Sequence, residues 1–152
     1  MHTSLTSHSA KLIADFGRMI GIPNLSFSAN GSCQLLFDKV HLVNVVMVPA
    51  LEKLVLSCRC ASDQIDACRL AHLALRANFM GYGSAGASLS LGPDDHLHLQ
   101  CQLPLQHLSP EALMTSVEGL LNGVENWNAR LRPVPATLPM TPAPALFEPQ
   151  RG

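Results

Sequence analysis

The sequence is short of charge. Asp, Glu, Lys and Arg make up 14% of its 152 residues, against roughly a quarter in an average soluble domain. A single small domain with so few charges has trouble covering itself with polar surface, so apolar surface should be left over for a partner. The 10 basic and 11 acidic residues nearly cancel, and they are scattered. Nucleic-acid binding, which needs a basic face, is excluded on that ground, and aromatic side chains for base stacking are scarce at 5%. A long hydrophobic run is also missing. The longest, Leu42 to Leu51, is interrupted by Asn44 and Pro49 and is too short to cross a bilayer. No basic stretch followed by an apolar one opens the chain, so no signal peptide is expected. Five cysteines, Cys33, Cys58, Cys60, Cys68 and Cys101, are an odd number and sit inside strand-like and helix-like runs. They read as reduced, buried residues of a cytosolic protein.

Hydrophobic residues make up 47% of the chain, enough for one real core. The pattern predicts a first helix from His8 to Ile20, with Leu12, Ile13, Phe16, Met19 and Ile20 on one stripe and Gly21 and Pro23 ending it. A β region follows. Asn30-Gly31 is a tight-turn signal between Leu25–Ser28 and Ser32–Phe37. Asp38-Lys39 leads into Val40–Val48, and Leu51–Cys60 forms a third run. Cys33, Leu35 and Phe37 share a face. Val40–Val48 is apolar on both faces, and Val43, Val45 and Met47 are read as the surplus face that something else must cover.

A second helix is expected over Asp63–Phe79, capped by Ser62 or Asp63 and apolar nearly all round. A hairpin follows: Ala87–Leu91, a Gly92-Pro93-Asp94-Asp95 turn, then His96–Leu103 with Leu97, Leu99, Cys101 and Leu103 inward and His96 and His98 outward. Ser109-Pro110-Glu111 starts the last helix, whose stripe is Leu113, Val117, Leu120, Leu121, Val124, Trp127 and Leu131. From residue 133 the composition turns Pro-rich. The expectation is a single domain over 1–132 and a disordered or extended tail over 133–152. The fold class is α+β: helix, strands, helix, two strands, helix, with an antiparallel sheet.

Three short patterns invite chemistry. Gly81 to Gly86 matches G-x-G-x-x-G literally, but it follows a helix and precedes a strand, the reverse of a dinucleotide site. Cys58, Cys60, Cys68 and His72 could suggest zinc, yet a one-residue spacing inside a strand is not that of a zinc knuckle. No nucleophile elbow or catalytic signature surrounds any Cys or His. A small Cys/His metal protein or enzyme stays open as the lesser alternative; the expectation is no enzyme activity and no cofactor.

The element order, with "LIADFGRMIGIPNLSF" and "LALRANFMGYGSAGASLSLGPDDHLHLQCQLPL", resembles the class I type III secretion chaperones, the Tir-chaperone family. Leu75 and Asn78 match that family's helix end, Gly86, Leu89 and Leu91 its fourth strand, and Glu118, Leu121 and Trp127 its last helix. The likeness spans residues 8 to 131. It departs from the family in charge, since members are typically acidic, and in the Pro-rich tail, onto which nothing maps.

The resemblance implies a cytoplasmic bacterial homodimer that binds the extended N-terminal segment of a secreted effector, keeps it secretion-competent and delivers it to the secretion apparatus, with the secretion ATPase a further partner. A regulatory, anti-activator protein of the same fold is the alternative. The client-binding candidates are Leu12, Phe16 and Ile20 on the first helix, and Leu25, Phe27, Leu35, Phe37, Val43, Val45 and Met47 in the strands that follow. The dimer candidates are Leu70, Leu73, Ala74 and Leu75. Each has a plainer reading as core. No nucleic-acid or membrane partner is expected.

Overall fold

The computed structural model describes residues 2–81, 83 and 86–133. The elements run α1 (His2–Met19), β1 (Ser32–Phe37), β2 (His41–Val48), a 3-10 turn at Pro49–Leu51, β3 (Lys53–Arg59), α2 (Ala67–Asn78), a second 3-10 turn at Phe79–Gly81, β4 (Ser88–Leu91), β5 (Leu97–Pro104) and α3 (Pro110–Leu131). The strands form one antiparallel sheet in the order β1-β2-β3-β5-β4, so the architecture is α+β, as expected. The tail expected to lie outside the fold falls, from residue 134 on, outside the described residues.

One face of the sheet carries helices. α3 packs on β3 and β5, α1 on α3, and α2 on β4. The core between them takes Ile13 and Phe16 from α1, Val43, Val45, Leu54, Leu56, Leu97 and Leu99 from the strands, and Leu113, Val117 and Val124 from α3. α3 starts as its sequence dictates: the Ser109 hydroxyl accepts from the Ala112 N–H at 3.1 Å, and Pro110 occupies the first turn. A glycine sets its distance from the sheet, because a Cβ on Gly123 would stand 2.5 Å from Leu99 Cδ2.

Three local expectations change. α1 begins at His2, not His8. Leu25–Ser28 is not a strand: the Ser28 N–H makes one bond to the Ser32 carbonyl at 2.8 Å, and the Gly31 N–H turns back to the Ser28 carbonyl at 2.9 Å, so the segment meets the sheet edge at Ser32 alone and leaves. α2 starts at Ala67 because the expected caps are used elsewhere. Ser62 is buried, and its hydroxyl accepts from the Leu97 N–H at 3.0 Å and donates to the Cys60 carbonyl at 3.3 Å. Asp63 is held by Arg59 and His96. Asp66 caps the helix instead, accepting from the Arg69 N–H at 3.2 Å.

Candidate binding surfaces

Strand parity decides which apolar side chains are available. Val43 and Val45 face the helices and are fully buried. The opposite face of the sheet is open, and along it run Gln34 and Leu36 from β1, and Leu42, Asn44 and Val46 from β2. The surplus apolar face is therefore that of Leu36, Leu42 and Val46, not that of Val43, Val45 and Met47. The signal was in the sequence: Asn44 alternates with Leu42 and Val46, and its side chain accepts from Gln34 Nε2 across the strands at 2.7 Å.

The client candidates divide accordingly. Leu12, Phe16, Leu35, Val43 and Val45 lie in the core; Phe16, Val43 and Val45 have 0% exposure and so offer nothing to a ligand without unpacking the domain. Ile20, Leu25, Phe27, Phe37 and Met47 are only partly buried and pack against the core from its margin. Phe27 and Met47 both line a cleft of about 420 Å³ between the middle of α1, which contributes Ser9 and Ala10, and the 26–31 loop. The Ser9 hydroxyl is buried beneath it, 2.9 Å from Met47 Sδ.

The edge of β1 runs beside that cleft. The Met47 N–H donates to the Gly31 carbonyl at 2.8 Å. By antiparallel alternation Ser32, Gln34 and Leu36 then turn their backbone groups away from β2. Ser32 spends its carbonyl on Ser28, which leaves Gln34 and Leu36 as open edge positions. At the other edge of the sheet one outward position is capped: the Asn78 side chain donates to the Leu89 carbonyl and accepts from the Leu89 N–H, both at 2.8 Å.

A second apolar surface lies on α2. Leu70 and Ala74 are buried in the monomer, and Leu73 is partly buried, so of the dimer candidates Leu75 alone projects outward. Leu75 and Phe79 are each 74% exposed, and Met80 follows at 73%. Cys68, His72, Leu75 and Phe79 fall at helical spacing on one outward stripe. Within the protomer one side of α2 meets the sheet, through β4 and β5, and the stripe of Leu75 and Phe79 faces away from it.

A larger cleft, about 490 Å³, opens at the far end of the sheet between the β1–β2 hairpin tip, the end of β3 and α3, with Val40, Leu42, Arg59, Asp63, His98 and Asn128 on its walls. Its charged groups are paired with one another. Arg59 and His96 hold Asp63, and His98 Nε2 meets Asp94 Oδ1 at 3.0 Å. The hydrogen bond from His96 lowers the Asp63 pKa below the usual carboxylate value, and that from His98 does the same for Asp94. His96 and His98, expected to be a solvated face, are instead a tie between the β3–α2 loop and the β4–β5 turn.

Three of the five thiols are buried. Burial raises Cys33 and Cys58 to about 11 and Cys60 to about 12. Cys68 is exposed, which departs from the expectation of five buried cysteines. Among the described residues no three His, Cys, Asp or Glu side chains gather as a ligand set, and no helix is long and apolar enough to cross a membrane. Gly81 and Gly83 of the G-x-G-x-x-G stretch lie between α2 and β4; residues 82, 84 and 85 are outside the described residues.

No curated protein matches the chain. Solved structures do. The fold superposes with a TM-score of 0.70 on the ExsC–ExsE complex, at 24% identity over 84% of this chain and 96% of that one. It superposes at 0.68 on the HopA1–SchA chaperone–effector complex, at 24% identity over 82% and 95%. A third is the Yersinia pestis type III secretion chaperone SycH in complex with a stable fragment of YscM2, at 0.61 and 21% identity over 77% and 97%. The sequence profile of the Tir chaperone protein (CesT) family matches residues 11–128, most of the chain, and the protein belongs to that family.

Proposed function

We propose that this protein is a type III secretion chaperone that holds one extended segment of an effector, without enzymatic activity, in the bacterial cytoplasm. The observation that carries the reading is the open β1 edge running beside the apolar Phe27–Met47 cleft, in a member of a chaperone family. An extended client can pair its backbone with Gln34 and Leu36 while alternate side chains enter the cleft. Each Å² of apolar area buried is worth about 25 cal/mol, less the cost of ordering the client. No bond need be made or broken.

In the same reading the protein works as a homodimer through the outward stripe of α2. Leu75, Phe79 and Met80 form an exposed apolar patch, and a twofold axis would set it against its own copy. Docking of the loaded dimer on the secretion ATPase belongs to this proposal as well.

The test is to recover the tagged chain from its native bacterium under non-denaturing conditions and identify its companions by mass spectrometry. A secreted protein held through its N-terminal region, and lost from a Met47→Asp or Leu36→Asp variant whose circular dichroism is unchanged, supports the reading. A transcription regulator in its place would redirect the function to regulation, and a chain recovered alone as a monomer would overturn it.

A further inference from the structure

We propose that Phe79 and Met80, just past the end of α2, insert into the cleft between α3 and β5 of a second copy of this chain, so that the twofold pair is closed by two identical knob-and-cleft contacts. The proposal rests on the homodimer reading above and gives the α2 patch a defined receptor on its partner.

The helix-facing side of the sheet is incompletely covered at one place. Leu54 and Leu56 of β3 are fully buried, but their cross-strand partners on β5, Leu103 and Cys101, are only partly buried. A cleft of about 390 Å³ opens there, lined by those two residues, by Ala87 ahead of β4 and by Ser116, Gly119 and Gly123 of α3. Nothing lies within 4 Å of where a Gly119 Cβ would stand, so the helix backbone is open to close approach at that point. No charged residue lines the cleft.

The knob stands next to the cleft without filling it. Asn78, the last residue of α2, holds both backbone groups of Leu89 at 2.8 Å, and Ala87 lies two residues before Leu89, at most about 7 Å of extended chain. Phe79 follows Asn78 directly, yet within one copy it is 74% exposed and Met80 is 73% exposed. Met80 also holds φ at 56°, in the left-handed region that such a side chain seldom adopts. An apolar knob and an open apolar cleft side by side on one surface are self-complementary under a twofold axis. Each knob meets the other copy's cleft, both contacts form together, and the assembly closes at two. Neither surface brings a charge to the contact, so no ion is desolvated. An aromatic anchor of about 150–250 Å² seated in a pocket is the kind of group that dominates an interface.

Sedimentation equilibrium on the full-length chain tests this, with circular dichroism as the check on folding. The wild type should be a dimer. Phe79→Ser removes the knob, and Gly119→Leu and Ser116→Leu each fill the cleft; every one of these should raise the dimer dissociation constant about tenfold or more with an unchanged spectrum. Gly119→Ala, which adds one methyl group, should leave the dimer in place. Mixing the Phe79→Ser and Gly119→Leu chains should give a mixed dimer in native mass spectrometry in preference to either homodimer, because the knob of one finds the intact cleft of the other. If one cleft variant fails to fold, the other decides. Folded cleft variants that dimerise like the wild type would overturn the knob-and-cleft contact and leave pairing through α2 standing. A wild-type chain that stays monomeric would overturn both. Cleft variants that keep the dimer but lose the companion recovered with the tagged chain would assign the cleft to the client instead.

Discussion

Replacing Val45 by Asp tests the parity of the sheet directly. Val45 is fully buried between β2 and the helices. Losing its burial costs about 1.5–3 kcal/mol. The new carboxyl cannot stay ionised there, and keeping a group of ordinary pKa about 3.9 protonated at neutral pH costs a further ~4 kcal/mol. The sum, ~6–7 kcal/mol, is comparable with the whole stability of a small domain, about 5–15 kcal/mol. Val45→Asp should therefore be largely unfolded. Val46→Asp, one residue on, points to the open face, where the side chain is only partly buried; its cost should stay near 1 kcal/mol or below. Urea melts followed by far-ultraviolet circular dichroism compare the two. A Val45→Asp protein that melts cooperatively at the wild-type midpoint would refute the register and, with it, the placement of Val43 and Val45 in the core.

Other expectations follow from single contacts. Gly119 sits inside α3 with nothing within 4 Å of a would-be Cβ, so Gly119→Ala should stabilise by about 0.5–1 kcal/mol, read as a higher urea midpoint. Asn78→Ala removes both bonds to Leu89 and should cost about 1–3 kcal/mol, with faster amide exchange at Leu89. Asp63 and Asp94 have depressed pKa values when folded, so their contribution is present above the unfolded carboxylate pKa of about 3.9 and is lost as pH falls through the lower folded values. An Asp63→Asn, Asp94→Asn double variant should consequently lose less stability than the wild type on acidification below about pH 4, measured by urea midpoint against pH.

What could be read from the sequence tracks how local its cause is. α3 was legible because its cap, its Pro at the first turn and its stripe all lie within its own residues. The β4–β5 hairpin was legible for the same reason: its turn closes locally, with the Gly92 N–H bonded to the His96 carbonyl at 2.9 Å. The start of α2 was not, since Ser62 and Asp63 look like caps but are recruited by Leu97, Arg59 and His96 from other elements. The faces of β2 were ambiguous because both are apolar, and Asn44 alone breaks the tie. The candidate site shared that ambiguity: Leu12, Phe16, Leu35, Val43 and Val45, chosen for apolarity, are buried in the core, Ile20, Leu25, Phe27, Phe37 and Met47 lie at its margin, and the exposed Leu36, Val40, Leu42, Phe79 and Met80 were passed over. Apolarity marks both core and contact surface, and only packing separates them.

The clamp of Asn78 on Leu89 has a consequence beyond the stability of one strand. A sheet with two free edges can relay: each copy accepts a neighbour on one side and offers itself on the other, and the chain of copies has no natural end. Here one amide side chain occupies the backbone of Leu89 at the β4 edge, so a strand arriving there finds that residue's donor and acceptor already used. Strand addition is thereby disfavoured at β4 relative to β1, and a copy that accepts a strand on one side is a poor site for the next on the other. A protein whose surface is this poor in charge needs such a terminator, because little electrostatic repulsion would stop it from growing into a fibre.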